Sequence, residues 1–452
     1  MIRNSTIIAL ILLSALGVAQ QPPQDPTPAQ PIPWRPLPSP VGADAPDDPV
    51  AIHVKQAITV SGETIDDATI LVRGGKIVSI GKIVDIPRGT KHVHYSDCIA
   101  TPGFVVSQAR TGYAARGPSQ GAATKAKDGI DPATELYKIA AASGITTMAI
   151  VPSGQGISGS ASVIRTRGKS IDEMIRIDDA YLYTTFEGGT NAKDGIRKAF
   201  DSAKEEMEKF EKAEKEAKEA PKPKETPASA PAPTPGAPGA ATQPAATQPA
   251  PKAPPKLDPR AEPVIKVLKK EKKLFVQIGQ IGGLGGFGGG TSAAADILHF
   301  HEATKKHDFE RIYSASSAMF LVANHLADVK AGAILLTDMS FEPNTRNRVN
   351  APDELRRAGI KVGLLPIAES RDAYKNWLFK VGELVKMGFP EKEALRAMTL
   401  VPAELLGLGD QIGSLAPGRE ADIVFFDGNI FDASTKIRAV MIAGEFVPED
   451  EL

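Results

Sequence analysis

Short apolar segments with the character of buried strands alternate with helical segments through most of this 452-residue chain. The strand candidates are rich in β-branched and aromatic residues, whereas apolar residues in the helical segments recur every three or four positions. This alternation favours parallel βα units, because two parallel strands need a long crossover between them. The candidate strands are residues 99–106, 146–151, 180–185, 274–279, 311–314, 333–337 and 361–367, and the candidate helices are residues 132–143, 293–306, 317–329, 371–387 and 391–399.

The two ends of the alternating region have a different pattern, with short β-type runs and no long helices. These runs lie at residues 51–60, 69–73 and 76–80 near the start, and at 422–426 and 438–442 near the end. Glycines 428 and 444 follow the last two runs as turn residues. The length accommodates a single barrel with a small flanking sheet as well as two or three separate domains.

Residues 1–19 have the composition of a secretory signal. Arg3 supplies the positive end, residues 7–18 form an apolar run, and small residues precede position 20. The run is short for a membrane span, and an uncleaved anchor helix is the alternative. We therefore expect an exported protein, periplasmic or secreted, without a membrane span after cleavage. Residues 20–49 are rich in proline and are expected to form an extended tether.

Charge and cysteine content limit the classes of function. The formal net charge is −1, which gives no electrostatic case for binding nucleic acid. Cys98 is the only cysteine, so an intramolecular disulfide is excluded and stability must come from a large apolar core. Because Cys98 stands at the start of an apolar run, we expect a buried structural thiol.

One long segment breaks the alternation. Residues 192–220 predict a charged helix with repeated Glu–Lys pairs in the favourable i, i+4 order. Residues 221–258 are rich in proline and alanine, and such a segment buries too little apolar surface to offset its chain entropy. We expect a disordered insert that leaves through a surface loop.

Motifs at both ends of the chain resemble those of the amidohydrolase superfamily, and most of all its imidazolonepropionase-like branch. They are Gly-Lys-Ile-Val-Ser-Ile-Gly at 75–81, Thr-Pro-Gly-Phe-Val-Val at 101–106, Ala-Met-Thr at 397–399, Pro-Ala-Glu-Leu-Leu-Gly-Leu at 402–408, and Ile-Gly-Ser-Leu-Ala-Pro-Gly-Arg-Glu-Ala-Asp-Ile-Val at 412–424. The resemblance implies an α/β fold, a (β/α)8 TIM-type barrel over residues 98–400. It also implies a small β-sandwich built from both chain ends, residues 50–97 and 401–452.

The resemblance also implies a metal site, and here the sequence departs from the family. Family hydrolases hold zinc or another divalent metal with two histidines after the first barrel strand, one histidine each after the fifth and sixth, and an aspartate after the eighth. The aligned positions in this chain are Gln108, Arg110, Gly279, Ser314 and Ile367. We therefore expect no metal and no other cofactor at these positions. Arginine and glutamine suit a carboxylate or an amide, so a retained ligand pocket is the corresponding expectation.

Two further patterns have competing interpretations. His92 and His94 are separated by one residue, which would place both on one face of a strand, either as an exposed face or as a metal site. Glycines at 283, 285 and 288 match the dinucleotide fingerprint, but a tract this dense in glycine satisfies almost any glycine spacing. A flexible loop over the barrel mouth is the favoured interpretation of residues 282–290.

The leading functional hypothesis is a catalytically degenerate amidohydrolase-like protein that binds a small molecule, a second copy of itself or an active relative. A working hydrolase of non-peptide, cyclic C–N bonds with a rebuilt site is the alternative. That site would draw on acidic residues near the predicted strand ends: Asp296, Asp338, Glu369 and Asp372. A nucleotide-binding protein that uses the glycine tract is the third hypothesis.

Overall fold

The computed structural model describes residues 48–114, 121–219, 257–279, 292–315 and 317–451. The predicted signal segment, nearly all of the tether and of the low-complexity insert, and the glycine tract lie outside these ranges. None of the helices within the ranges is both long and apolar enough to cross a membrane.

Two large sheets and one hairpin make up the β structure of the described residues. The strands are β1 (Val50–Ile58), β2 (Thr64–Arg73), β3 (Lys76–Gly81), β4 (Lys91–Pro102), β5 (Phe104–Ala109), β6 (Ile145–Ile150), β7 (Gly156–Arg165), β8 (Ile175–Phe186), β9 (Lys273–Ile278), β10 (Arg311–Ala315), β11 (Gly332–Leu336), β12 (Ser340–Phe341), β13 (Arg348–Val349), β14 (Val362–Leu365), β15 (Ile423–Phe426), β16 (Ile437–Ile442) and β17 (Glu445–Phe446).

The helices mostly lie between the strands of the second sheet. They are α1 (Glu135–Ala142), α2 (Ile171–Met174), α3 (Thr190–Glu219), α4 (Glu262–Leu268), α5 (Ser292–Thr304), α6 (Ala323–Asp328), α7 (Ala351–Arg357), α8 (Arg371–Lys375), α9 (Trp377–Lys386), α10 (Glu391–Met398) and α11 (Leu400–Leu405). All five candidate helical segments of the sequence contain helix.

The two chain ends form one seven-stranded sheet, in the order β17-β16-β15-β4-β1-β2-β3. The link between the ends is the antiparallel pairing of β15 with β4, in which Ile423 lies opposite Pro102 and Phe426 opposite Ile99. The predicted pairing of the chain ends is therefore confirmed.

The second sheet has eight strands in the order β14-β11-β10-β9-β8-β7-β6-β5, and its two edge strands β14 and β5 contact each other. The sheet is thus a nearly closed barrel, which confirms the predicted TIM-type fold. Seven of its strands run in one direction and correspond to the seven candidate strands of the sequence.

The eighth strand, β7, was not predicted. It runs antiparallel to both β6 and β8, so the barrel departs from a uniform parallel βα repeat at this point. Its sequence, Gly-Ile-Ser-Gly-Ser-Ala-Ser-Val-Ile-Arg, lacks the β-branched and aromatic density of a typical strand. Strand pairing on both edges forms it in spite of that composition.

The first predicted strand, residues 99–106, belongs to two sheets. The chain leaves the seven-stranded sheet at Pro102 and enters the barrel at Phe104, so the boundary predicted at residue 98 falls inside β4. Gly103 makes the transition possible, since a Cβ there would lie 2.3 Å from the Thr146 hydroxyl. Its N–H donates to the carbonyl of Asp422 at 2.9 Å, which ties the transition to β15.

The closing motif at 412–424 holds the two sheets together. Arg176 of β8 is 3% exposed and forms ion pairs with Glu420 at 2.5 Å and with Asp422 at 2.6 Å. Asp422 also accepts the N–H of Ala443 at 2.8 Å. Arg419 donates to backbone carbonyls of the preceding loop, including that of Ile412 at 2.9 Å. The motif has a structural role here.

The charged helix is part of the barrel's outer layer. Its first half, in α3, buries Ile196, Phe200 and Ala203 in a cluster with α4 and α5. The Phe200 ring stacks on that of Phe309 at 4.9 Å. Cys98 is buried as predicted, and burial raises the pKa of its thiol to about 12, with Asp97 adding to the shift.

Candidate functional site

A cavity of about 220 Å³ opens at the carboxyl ends of the barrel strands. Residues at the ends of β5, β6, β9, β11 and β14 line it, together with the loop that follows β14. Carboxyl ends of barrel strands collect loops from many strands, which is why active sites of this fold lie there. The polar lining residues are Gln108, Arg110, Gln277, Glu369 and Tyr374.

Three side chains form a buried polar network under the cavity. The amide nitrogen of Gln108 donates to Gln277 Oε1 at 3.0 Å, and the Tyr183 hydroxyl donates to the same oxygen. Gln277 in turn donates to the carbonyl of Gly279 at 3.1 Å. Gln108 Oε1 is buried and has no hydrogen-bond partner among the described residues. Its hydrogen-bonding capacity is therefore unsatisfied within this network.

Arg110 extends from the end of β5 and is exposed at the cavity. Its backbone N–H donates to both carboxylate oxygens of Glu369 at 2.8 Å. Its guanidinium makes one long hydrogen bond, to the Tyr183 hydroxyl at 3.4 Å, and no ion pair with another described residue. Burial raises the pKa of Tyr183 to about 12, although Arg110 opposes the shift. Tyr183 is therefore a neutral hydrogen-bonding group at physiological pH.

Thr111, which follows Arg110 in the chain, holds the Glu369 carboxylate in place. The Thr111 hydroxyl donates to Glu369 Oε2 at 2.8 Å and shares a short hydrogen bond with the Tyr374 hydroxyl. Tyr137 donates to the carbonyl of Thr111 at 2.7 Å. Burial raises the pKa of Tyr374 well above its usual range, and the Glu369 carboxylate adds to that shift. The carboxylate thus has a fixed position on one wall of the cavity.

Of the five positions that the sequence analysis aligned with family metal ligands, the structure places three at the cavity: Gln108, Arg110 and Ile367. Ile367 is 38% exposed in the loop after β14. Gly279 follows β9 with φ +69° and donates its N–H to the carbonyl of Phe186 at 3.0 Å. Ser314 is buried in β10, and its hydroxyl has no partner among the described residues.

The four acidic residues proposed for a rebuilt site do not come together. Glu369 lines the cavity, whereas Asp338 is exposed and accepts the N–H of Met339 at 2.7 Å. Asp372 is exposed in the first turn of α8. Asp296 lies on α5 beside Gly188, and partial burial raises the pKa of its carboxyl. Only Glu369 therefore belongs to the candidate site.

The residues at the barrel mouth do not fit the metal that the family uses. Gly279 has no side chain, Ile367 is apolar, and Arg110 places a permanent positive charge at the site. Around the cavity, within the described ranges, no three His, Cys, Asp or Glu side chains come close enough to hold one ion. A glutamine amide that already bonds to Gln277 is a poor zinc ligand.

Sequence reasoning missed Tyr183, Gln277 and Tyr374. Tyr183 and Gln277 lie on predicted strands, and alternation along β8 and β9 could have placed their side chains on the inner face. Tyr374 follows the eighth strand by nine residues, and no sequence signal relates it to Thr111.

The described residues thus form a TIM-type barrel, a second sheet from the chain ends and a cavity at the carboxyl ends of the barrel strands. Residues 288–447 match the sequence model of the amidohydrolase family. Over that part of its length the chain is similar in sequence to the amidohydrolase family. A search of curated proteins returned no match.

Solved structures share the fold. An amidohydrolase from Thermotoga maritima MSB8 is 22% identical, with 88% of this chain and 99% of that chain covered and a TM-score of 0.69. A second amidohydrolase is 10% identical, with 88% and 98% covered and a TM-score of 0.51. A triazine hydrolase variant is 17% identical, with 90% and 96% covered and a TM-score of 0.50. At these identities the likeness concerns the fold alone.

Proposed function

We propose that this protein is a non-catalytic member of its superfamily that binds a small carboxylate or amide at the barrel mouth. The observation that carries the proposal is the pair of unused groups at the cavity. Gln108 Oε1 is a buried acceptor without a partner among the described residues, and the Arg110 guanidinium has no ion pair among them. A buried acceptor without a partner costs free energy, which a bound donor would offset.

The cavity favours a small ligand with two kinds of polar group. Arg110 would make a charge-assisted, bidentate contact with a carboxylate or bond to an amide oxygen. Gln108 Oε1 would accept an N–H from the same ligand, while Gln277 and Tyr183 fix the amide of Gln108 in place. A volume of about 220 Å³ is below the usual range of drug-sized pockets, so the ligand has few heavy atoms.

The position of the Glu369 carboxylate is the one observation that favours the alternative function, a hydrolase of cyclic C–N bonds. Its carboxylate lines the cavity and is fixed by Thr111 and the Arg110 backbone, as a general base would have to be. The nucleotide-binding hypothesis rests on the glycine tract, outside the described residues. The sequence motifs support a further proposal, that the chain belongs to the imidazolonepropionase-like branch. The composition of residues 1–19 supports another, that the protein is exported to the periplasm or secreted.

The test is a melting-shift screen of short mono- and dicarboxylates, lactams and hydantoins, followed by calorimetry on the hits. We expect at least one class to bind the wild type, and Arg110→Ala to weaken binding by about 1.5–3 kcal/mol, or about 10- to 150-fold. Arg110→Lys keeps the charge and loses the bidentate geometry, so an intermediate loss is expected. Arg348→Ala, on the exposed strand β13, is the matched control and should bind like the wild type.

Two results would overturn the proposal. One is a complete absence of binding in the screen, or equal binding by the wild type and Arg110→Ala. The other is turnover of a lactam or hydantoin that is lost in Glu369→Gln, which would establish the hydrolase alternative. Elemental analysis of dialysed protein adds an independent arm, since a tightly held ion lost on changing Gln108 would contradict the donor set described above. Size-exclusion chromatography tests the accompanying expectation of an oligomer with itself or an active relative.

A further inference from the structure

A second cavity lies on the other side of the barrel from the candidate site. It measures about 580 Å³ and is bounded by α10, α11, the loop at 407–419 and the turn after β1. Lys361, directly before β14, pairs with Glu404 of α11 at 2.6 Å, and Lys273 at the start of β9 donates to the carbonyl of Glu404 at 3.0 Å. Because both lysines stand at the amino ends of barrel strands, this cavity is separate from the one at the carboxyl ends.

Three basic side chains line this second cavity without forming an ion pair to any described residue. Lys392 and Arg396 are four residues apart on α10, and Arg419 comes from the closing motif. Like charges at the i, i+4 spacing destabilise a helix, so Lys392 and Arg396 oppose the stability of α10. An anion placed between them would offset that repulsion.

The two arginines have hydrogen-bond donors that the described residues do not use. Arg396 Nε is buried and has no partner among them. Arg419 uses Nη1 to donate to the carbonyls of Gly409 and Ile412, the latter at 2.9 Å, and these bonds fix its guanidinium in the wall of the cavity. A guanidinium has five N–H donors in a planar fork, so both arginines have donors left for an anion.

Two carboxylates also line the cavity, and only one of them lacks a basic partner in the described ranges. Glu404 is neutralised by its ion pair with Lys361. Asp410 is exposed and pairs with no described cation. The unpaired lining groups are thus three cations and one carboxylate, an excess of two positive charges. A cleft with such a lining concentrates anions.

We propose that this cavity binds a phosphate group, either as inorganic phosphate or as part of a small phosphorylated molecule. The excess of positive charge matches that of a phosphate dianion, whose oxygens accept from several donors at once. Arg396 and Arg419 contact the oxygens through their planar forks, while Lys392 supplies a point charge. A volume of about 580 Å³ lies within the range of small-molecule pockets, so an organic substituent on the phosphate also fits.

A phosphate group at this position links α10 of the barrel to the closing motif. The motif carries Glu420 and Asp422, whose ion pairs with Arg176 join the two large sheets. A ligand that binds only the folded state stabilises it, so phosphate should raise the melting temperature. The site lies away from the barrel mouth and is independent of the function proposed above.

The test is a melting-shift titration of the full chain in a phosphate-free buffer, with inorganic phosphate and separately with glycerol 2-phosphate, followed by calorimetry. We expect one site per chain; tighter binding of the ester indicates a phosphorylated molecule, and tighter binding of phosphate indicates the free ion. Arg396→Gln should weaken binding about 10- to 150-fold, the range for a hydrogen bond to a charged group, and Lys392→Gln by less. Arg346→Gln is the matched control, because Arg346 is exposed between β12 and β13 and does not line the cavity.

Hydrogen exchange gives a readout that locates the bound group. Phosphate should slow exchange over residues 391–419 in the wild type and in Arg346→Gln, and should not do so in the double variant Lys392→Gln/Arg396→Gln. Circular dichroism without ligand verifies the fold of each variant.

Three results would overturn the proposal. One is the absence of any stabilisation by either probe. Another is a stabilisation that does not saturate and is equal in the double variant, since excluded salts stabilise folded proteins in this general way. The third is loss of phosphate binding in Arg110→Ala, which would place the anion at the barrel mouth.

Discussion

Removing Arg176 tests whether the closing motif joins the barrel to the seven-stranded sheet. The guanidinium is 3% exposed and pairs with two carboxylates, of which Asp422 is also 3% exposed. Arg176→Met keeps most of the volume and leaves Asp422 with one backbone N–H as its hydrogen-bond donor. Breaking a buried pair from one side costs about 3–5 kcal/mol, so we expect the free energy of unfolding to fall by that amount at pH 7.5.

The pH dependence of this loss has a definite sign. Burial raises the pKa of Asp422, and Arg176 opposes the shift, so the pKa must rise further in the variant. A carboxyl whose pKa is raised in the folded state stabilises the protein below its unfolded pKa, and this contribution is lost as the pH rises through the folded pKa. The difference between the wild type and Arg176→Met should therefore be smaller at pH 5 than at pH 7.5.

Chemical denaturation of the wild type, both single variants and the double variant Arg176→Met/Asp422→Asn measures the coupling. The double variant should recover part of the loss, because it no longer buries a carboxylate. Arg165→Met is the matched control: Arg165 pairs with Glu420 at 3.1 Å but is 29% exposed, and its loss should cost no more than about 1 kcal/mol. Equal losses for Arg165→Met and Arg176→Met, or a larger loss at pH 5, would refute the reasoning.

Three further predictions have definite expected outcomes. Burial raises the pKa of all seven tyrosines, and it raises the pKa of Tyr183 to about 12. Tyrosines of the unfolded chain ionise near pH 10. Ultraviolet absorbance at pH 10 should therefore show little tyrosinate while the protein is folded. A step near pH 10 before unfolding would contradict this. Gly103→Ala forces a Cβ against Thr146 and should cost about 1–3 kcal/mol, whereas Gly195→Ala, in open space on a helix, should stabilise the protein by about 0.5–1 kcal/mol. Urea unfolding measures both, and equal effects would show that the Thr146 contact is irrelevant. Deleting residues 221–255 with a short flexible linker should leave the melting temperature within a few degrees, because their composition is that of a solvated linker; a drop of many degrees would show that they pack on the barrel.

The barrel strands were predictable because each is a buried apolar run, and a strand that is buried on both faces is apolar along nearly its whole length. Strand β7 was not, because its glycines and serines carry no such signal and only its neighbours make it a strand. The break at Gly103 was also beyond prediction, since the run from Ile99 to Val106 is continuous in sequence. Whether such a run continues in one sheet depends on long-range contacts, here with Asp422 and Thr146.

The candidate site was predictable only where the chain could be aligned with a family pattern. Gln108 and Arg110 directly follow a strand, so their place at the barrel mouth follows from the fold. Their partners could not be inferred, because Gln277 lies on a strand and Glu369 in a loop that are both far along the chain. His53 meets His92 and His94 for the same reason, since the parallel register of β1 with β4 decides which residues lie together.

The distribution of family motifs over this structure separates evidence for the scaffold from evidence for the chemistry. The closing motif contributes Glu420 and Asp422 to a buried ion-pair network, and the Thr-Pro-Gly motif forms the passage between the two sheets. Neither Glu420 and Asp422 nor residues 101–103 line the cavity. On the function proposed above, a chain can therefore keep the motifs that build the barrel while Gln108 and Arg110 stand at its mouth in place of metal ligands. The motifs then specify the fold, and only the cavity residues can decide between binding and hydrolysis.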